Sequence, residues 1–379
     1  MEFNLIPRKT PLGMEHERLG AKMGEFAGWY MPLWYPSGQT AEHHAARNAC
    51  GLFDICHMGE IDIRGPGSLN FLSSLLTNDV SSMQDDQAMY HFMLNELGGV
   101  IDDCILYRFD AEHWMLVVNA GNIETDYKWM QQHASGSVVL ENLSGHIAKL
   151  DLQGPNAPRL IAHLTSSDQL AGLRFFRFLP EVDINGMSVM ISRTGYTGEI
   201  GFELYAESMY ARDLWQLLLK EGEAFGIQPC GLGARDTLRV EAGLPLHGHE
   251  IHPDRAAVGH PWEFAIAWDT EFIGRSALEE KKENGTFYSV LPFEMHGRRK
   301  AMPGFTVLEN GVNAGQVLSG AIAPTLENKP IGFLELNRDA EPGTILEFRQ
   351  PGRSNALEGK IVTLPFVSLT SRNKMQQFL

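Results

Sequence analysis

The stretch Gly98-Gly99-Val100-Ile101-Asp102-Asp103-Cys104-Ile105-Leu106-Tyr107 puts a glycine pair, two aspartates and an apolar run in sequence. The glycines permit a sharp reversal, and the run behind them reads as a strand. Met89–Leu94 and His113–Val118 read as strands on either side of it, the first joined to it through Glu96-Leu97-Gly98-Gly99. Ahead of these, Pro66-Gly67 makes a turn and Ser68 can cap a helix through Leu76. Behind them, Asn122–His133 reads as helix. The resulting β-α-β-β-β-α order predicts a compact α+β unit. Side chains alternate along a strand, so Asp102 and Asp103 face opposite sides and do not form a close carboxylate dyad. Either both cap the turn, or one of them enters a cavity, where a carboxylate needs a partner or a task.

The same kind of reading extends outward. Thr40–Asn48 predicts a helix stopped by Gly51, and Leu52–Ile63 alternates as a strand entering the α+β unit. Ile147–Leu152 predicts a strand closed by Gln153-Gly154-Pro155, followed by a helix over Asn156–His163. Met187–Ser192 and Gly201–Leu204 bracket the loop Thr194-Gly195-Tyr196-Thr197-Gly198, and Tyr210–Lys220 has helical spacing. From about Phe287 the runs become short and β-rich: Val307–Leu308, Gln316–Leu318, Ile331–Leu336, Ile345–Phe348 and Ile361–Phe366. They predict a C-terminal β-barrel or jelly roll.

A chain of 379 residues is too long for one ordinary core. Its balance of 31 basic against 47 acidic residues, −16 in all, argues against a general nucleic-acid binder. No apolar run reaches the ~18 residues of a membrane span, and Met1–Pro11 lacks the apolar core of a secretory signal. Cys50, Cys56, Cys104 and Cys230 form no CxxC pair and are expected as free thiols. A soluble, acidic, cytoplasmic enzyme is the expectation.

Three further constellations bear on chemistry. In Thr194-Gly195-Tyr196-Thr197-Gly198-Glu199-Ile200-Gly201-Phe202-Glu203 the glycines permit close approach to a flat ligand. Glu203 can take a 2-amino-pyrimidinone edge through two parallel hydrogen bonds; an exposed glutamate on a glycine-rich hairpin is the other reading. In Cys230–Ala242 a glycine turn runs into a helix with Arg235 and Arg239 on one face and Asp236 able to pair with Arg239. Arg235 either clamps a carboxylate or belongs to a salt-bridged helix start. His247-Gly248-His249-Glu250-Ile251-His252 lacks the converging ligands zinc needs, so no metal is expected.

Taken in order, these blocks resemble the aminomethyltransferase family, the T-proteins of the glycine cleavage system. The resemblance runs from Thr10-Pro11-Leu12 and Phe26-Ala27-Gly28-Trp29-Tyr30-Met31-Pro32 through Gly51–Glu60, Leu76-Thr77-Asn78-Asp79, the Gly98–Asp103 block and Val118-Asn119-Ala120. It continues through Leu152-Gln153-Gly154-Pro155, Arg193–Glu199, Gly231–Asp236, Ser319-Gly320 and Ala323-Pro324-Thr325-Leu326. It implies an α+β fold of three domains in a ring around a central folate channel: 1–58 with 148–257, then 59–147, then 258–379 carrying the β-barrel. It implies transfer of a one-carbon unit from the aminomethyl-lipoyl arm of a carrier H-protein to tetrahydrofolate, with ammonia released and no metal.

Residue by residue, the resemblance implies that Asp103 is the essential aspartate, which orients the folate and makes one of its nitrogens more nucleophilic. Glu203 becomes the pterin anchor. Tyr90, Asn119 and Tyr196 line the folate cavity, Arg235 and Arg372 contact the ligand, and Met58 lies under the pterin. Cys56, Phe175-Phe176, Leu244, His247-Gly248-His249 and Met302 depart from the family pattern. None of these departures touches Asp103 or Glu203. A tetrahydrofolate-dependent demethylase of a small N-, O- or S-methyl compound is the alternative on this scaffold. A non-catalytic folate-binding paralogue is a third reading, against which Asp103 counts.

Overall fold

The structure is a computed structural model that describes residues 7–165 and 168–379, so the first six residues of the Met1–Pro11 stretch lie outside it. Its centre is a five-stranded sheet in the order Gln87–Leu94, Val100–Arg108, His113–Val118, Gly59–Arg64, Val139–Asn142. Alternation sends Ile61, Ile63, Leu106, Trp114, Leu116 and Val118 to one face, where they pack on the helices Ser68–Leu75 and Ile123–His133. The other face carries Ala88, Tyr107, Met115 and Val117 against Phe178, Met190 and Tyr205 of a second sheet. That sheet runs Phe178–Ile184, Met187–Ser192, Gly201–Glu207, Ile147–Gln153, Cys50–Asp54, Ile227–Cys230. Its far face forms the largest core, under the helices Ala157–Leu164 and Ala211–Gly222.

The C-terminal strands close into the expected barrel: Ser289–Met295, Lys329–Leu336, Val312–Ala323, Thr306–Glu309, Ile345–Arg349, Ala356–Ile361. Closure leaves no open sheet edge. The α+β class and the predicted strand pair around the glycines are both present. Gly98 has φ +79°, a left-handed turn conformation, and a Cβ on Gly99 would fall 1.7 Å from the Pro253 carbonyl oxygen. Only glycine fits that approach.

Three expectations change. Leu52–Ile63 is not one strand: Cys50–Asp54 and Gly59–Arg64 belong to different sheets. Between them the Asp54 carboxylate accepts the Cys56 N–H at 2.9 Å, and Met58 N–H bonds the Ile55 carbonyl, forcing a turn. Asp54 is itself held by Thr10 at 2.6 Å and His16 at 2.8 Å. Ser68 does not cap its helix: Gly67 holds the cap position, and Ser68 is buried with its hydroxyl unpartnered. The last barrel strand is Ala356–Ile361 rather than Ile361–Phe366. Beyond Val362, which bonds the Pro292 carbonyl, the chain leaves the sheet toward Pro365, which has no N–H for a ladder.

Candidate active site

The site is built from strand alternation. Ile147–Gln153 pairs antiparallel with Gly201–Glu207, with Asp151 opposite Glu203 and Lys149 opposite Tyr205. Ala148, Leu150, Leu152, Phe202, Leu204 and Ala206 enter the core. Their neighbours Lys149, Asp151, Gln153, Glu203 and Tyr205 therefore face the other way, toward the five-stranded sheet. Val100–Arg108 contributes Asp103, and the chain after His113–Val118 contributes Asn119. The turn at Ile55–Met58 carries His57 and Met58 in from a third direction.

These elements enclose a cavity of about 600 Å³, and all eight residues singled out by the sequence border it: Met58, Tyr90, Asp103, Asn119, Tyr196, Glu203, Arg235 and Arg372. A cavity of this size suits a ligand of cofactor dimensions. Asp103 accepts the Tyr90 hydroxyl on Oδ2 at 3.0 Å and the Asn119 amide on Oδ1 at 2.8 Å. Burial and then the neighbouring Asp102 charge push its carboxyl up to about 7, against the pull of these two donors.

Asp102 lies on the opposite face, as alternation requires, but it does not cap the glycine turn. It is fully buried and accepts Asn119 N–H at 2.8 Å, Asn119 Nδ2 at 2.8 Å and Asn122 Nδ2 at 2.7 Å. Asn119 Nδ2 therefore bridges the two carboxylates at the end of the sheet. Burial, then Asp102 and Asp103, raise Asp126 well above the carboxylate range behind them.

Glu203 is buried, not exposed on a hairpin. Its Oε2 accepts Thr194 at 2.7 Å, Tyr205 at 3.2 Å and Tyr107 at 3.3 Å, while Lys149 Nζ stands 3.4 Å from Oε1. Burial raises this carboxyl, but the Lys149 ammonium, the Thr194 hydroxyl and the Arg235 guanidinium outweigh it and hold Glu203 below the ordinary range. Its surroundings carry two other acids. Burial pushes Asp151 up to about 7, with Arg235 pulling the other way, and Glu60, whose oxygens have no partner, up to about 8. One ionised carboxylate among neighbours pushed toward neutrality marks a polar site held in a defined charge state.

Arg235 binds Asp151 through one nitrogen at 2.8 Å, and its guanidinium lies 4.6 Å from the Tyr196 ring centroid. Its neighbour Arg239 pairs with Asp236 as expected, at 2.9 Å. The Tyr196 hydroxyl donates to the Pro245 carbonyl. Met58 Sδ is 3.7 Å from Lys149 Nζ, and Arg372 stands 5.5 Å from the Phe175 ring. His247 bonds Asn122 at 3.0 Å, and no group of three or more His, Cys, Asp or Glu among the described residues converges as metal ligands. The four cysteines are buried free thiols. Lys149, Tyr107 and His57 also belong to this polar site and were not singled out from the sequence. For Lys149 a signal was there: in Ile147-Ala148-Lys149-Leu150-Asp151-Leu152-Gln153, the polar residues recur with period two.

Residues 12–270 match the family model described as the GCVT N-terminal domain. The chain is 43% identical to an aminomethyltransferase of Shouchella clausii over 98% of its length and all of that protein's. It is 40% identical to an aminomethyltransferase of Bacillus subtilis over 95% of this chain and 99% of that one. The crystal structure of the glycine cleavage system aminomethyltransferase T from Bartonella henselae superposes with a TM-score of 0.86 at 34% identity, covering 96% of this chain and 99% of that chain. The cavity with its buried carboxylates thus sits in an enzyme scaffold, and the chain belongs to the aminomethyltransferase family, the T-proteins of the glycine cleavage system.

Proposed function

We propose that this enzyme moves a one-carbon unit from the aminomethyl-lipoyl arm of a carrier H-protein to tetrahydrofolate in the cytoplasm, releasing ammonia and forming 5,10-methylenetetrahydrofolate. The observation that carries the reading is one cavity bordered by two carboxylates from different sheets, the buried Glu203, held below the ordinary carboxylate range, and the half-buried Asp103, pushed up to about 7. Glu203 accepts the N–H groups of the pterin edge. Asp103, aimed by Tyr90 and Asn119, accepts a hydrogen bond from the folate nitrogen that attacks and offsets the positive charge developing there. Tyr196 and Arg235, stacked on one another, line the channel, with Met58 below the pterin and Arg372 at a further ligand contact. The residues divide as 1–58 with 148–257 around Glu203, 59–147 around Asp103, and 258–379 with the barrel.

The donor is tested by ammonia release from aminomethylated H-protein with tetrahydrofolate, run beside methyl release from small N-, O- and S-methyl donors. Ammonia release dependent on both partners is expected. Turnover of a small methyl donor without H-protein would reassign the enzyme as a demethylase. The anchor is tested separately. Glu203→Gln keeps the volume but swaps one acceptor for a donor, so tetrahydrofolate affinity measured by calorimetry falls by about 1.5–3 kcal/mol, the scale of a charge-assisted bond. Unchanged affinity removes Glu203 from the site.

A further inference from the structure

Lys149 stands in mid-strand with its side chain fully buried on the cavity wall. Besides Glu203 Oε1 at 3.4 Å, its Nζ meets the Met58 thioether at 3.7 Å and the Tyr205 ring at 5.1 Å. An ammonium has three donors, and a thioether is a weak acceptor. A buried cation so placed has donor capacity to spend on whatever enters the cavity. Glu203 is uneven in a complementary way. Three hydroxyls crowd Oε2, whereas Oε1 has Lys149 alone. The Tyr107 and Tyr205 hydroxyls lie 2.9 Å apart and Thr194 lies 2.8 Å from Ser192, so these protons have other acceptors when Oε2 is needed. The wall thus offers a donor beside two acceptors: Lys149 Nζ, Glu203 Oε1, Glu203 Oε2.

Resting on the reading that Glu203 receives a reduced pterin, we propose that Lys149 is a specificity-determining residue that donates to the 4-oxo group and selects 4-oxo over 4-amino pteridines. The 2-amino-4-oxo edge runs acceptor, donor, donor through O4, N3–H and the 2-amino group, the complement of Lys149 and Glu203. A 4-amino tetrahydropteridine puts an amine against the ammonium. Turned over to present its other edge, it puts N8–H there. In both poses a donor faces a buried cation, an element that works by repulsion. The same contact admits a tetrahydropterin in one of its two orientations, which settles the side on which its reacting nitrogens emerge.

The test compares binding of tetrahydrofolate and its 4-amino tetrahydro analogue to the full-length wild type, Lys149→Gln and Lys149→Arg. Wild type prefers tetrahydrofolate by about 10²-fold or more, as a site built around a hydrogen bond does. The glutamine amide presents either a donor or an acceptor, so Lys149→Gln lowers that preference by about tenfold or more, and Lys149→Arg keeps it. A merely structural lysine would weaken both ligands alike and leave the ratio unmoved, which overturns the proposal. A wild-type preference under about tenfold overturns it too, and this arm together with Lys149→Arg decides the matter should Lys149→Gln not fold. Failure of wild type to bind tetrahydrofolate at all overturns the folate reading, and this inference with it.

Discussion

Replacing Asp103 by asparagine lowers turnover by about 10²–10⁴-fold, the usual contribution of a positioned acid–base group, in a protein that folds as well as the parent. The shape is kept: the asparagine carbonyl still accepts from Tyr90 or Asn119. What disappears is the negative charge that offsets positive charge on the attacking nitrogen, an interaction made mainly in the transition state. The loss therefore appears in kcat at saturating folate. The wild-type pH profile follows from the raised Asp103 carboxyl. Activity needs the ionised form, so kcat/KM, which reports the free enzyme, falls as pH drops below about 7.

Stability moves in the opposite sense. The folded state holds this proton more tightly than the unfolded chain does, so the Asp103 contribution declines as pH rises from the ordinary carboxylate range toward about 7. Asp103→Asn removes both dependences and is no less stable than wild type at pH 8. Asp102→Asn behaves differently. Its new amide faces the three N–H donors of Asn119 and Asn122, so the thermal midpoint falls and activity falls with it, as Asn119 loses its hold on Asp103. A kcat loss confined to Asp102→Asn would move the chemistry one residue back.

Arg239→Met is expected to cost about 3–5 kcal/mol of folding stability, the price of stranding a buried charge. Arg239 sits in the Leu232–Ala242 helix, 1% exposed, and bonds Glu250 at 2.9 Å, Asp236 at 2.9 Å and the Leu244 carbonyl at 3.2 Å. Glu250 is fully buried, one of its oxygens has no partner, and the other also takes Leu246 N–H. Without the guanidinium its charge is uncompensated. Removing that charge as well, in Arg239→Met with Glu250→Met, restores much of the loss, because an apolar pair of similar volume often matches a buried ion pair. Denaturant midpoints of the two single variants and the double variant test this. Equal losses in Arg239→Met and the double variant would mean that packing, not charge, sets the cost. The pair also ties down the Leu244–Ile251 segment, whose Pro245 carbonyl receives Tyr196, so ligand affinity falls along with stability.

Much of the site was legible because it is written in local chemistry. A glycine pair followed by aspartates marks a tight turn into a strand. Glu203 stands at a place where apolar residues alternate with polar ones. The family resemblance singled out eight of the residues that line the cavity, five of them inside its recurring blocks. Lys149 escaped attention although its period-two pattern with Asp151 and Gln153 was visible, because alternation says that two residues share a face and not what that face meets. The Leu52–Ile63 run failed as a single strand for a related reason. The turn at Ile55–Met58 depends on Asp54, and Asp54 is held by Thr10 and His16 from another part of the chain.

The sequence by itself determined the α+β class, the barrel at the C-terminus, the family and eight residues that border the cavity. These rest on side-chain periodicity, glycine stereochemistry and residue order, all properties of neighbours along the chain. The tertiary structure alone decided the charge states and the pairings. The Asp103 carboxyl is pushed up to about 7 because burial and the Asp102 charge outweigh the hydrogen bonds from Tyr90 and from an Asn119 amide sixteen residues away. Glu203 stays ionised because strand register sets Lys149 beside it, and Arg235 is committed to Asp151 across 84 residues of sequence. Desolvation and Coulomb energy depend on distance in space, so residues that alternate identically along two strands acquire different chemistry only when the strands pack.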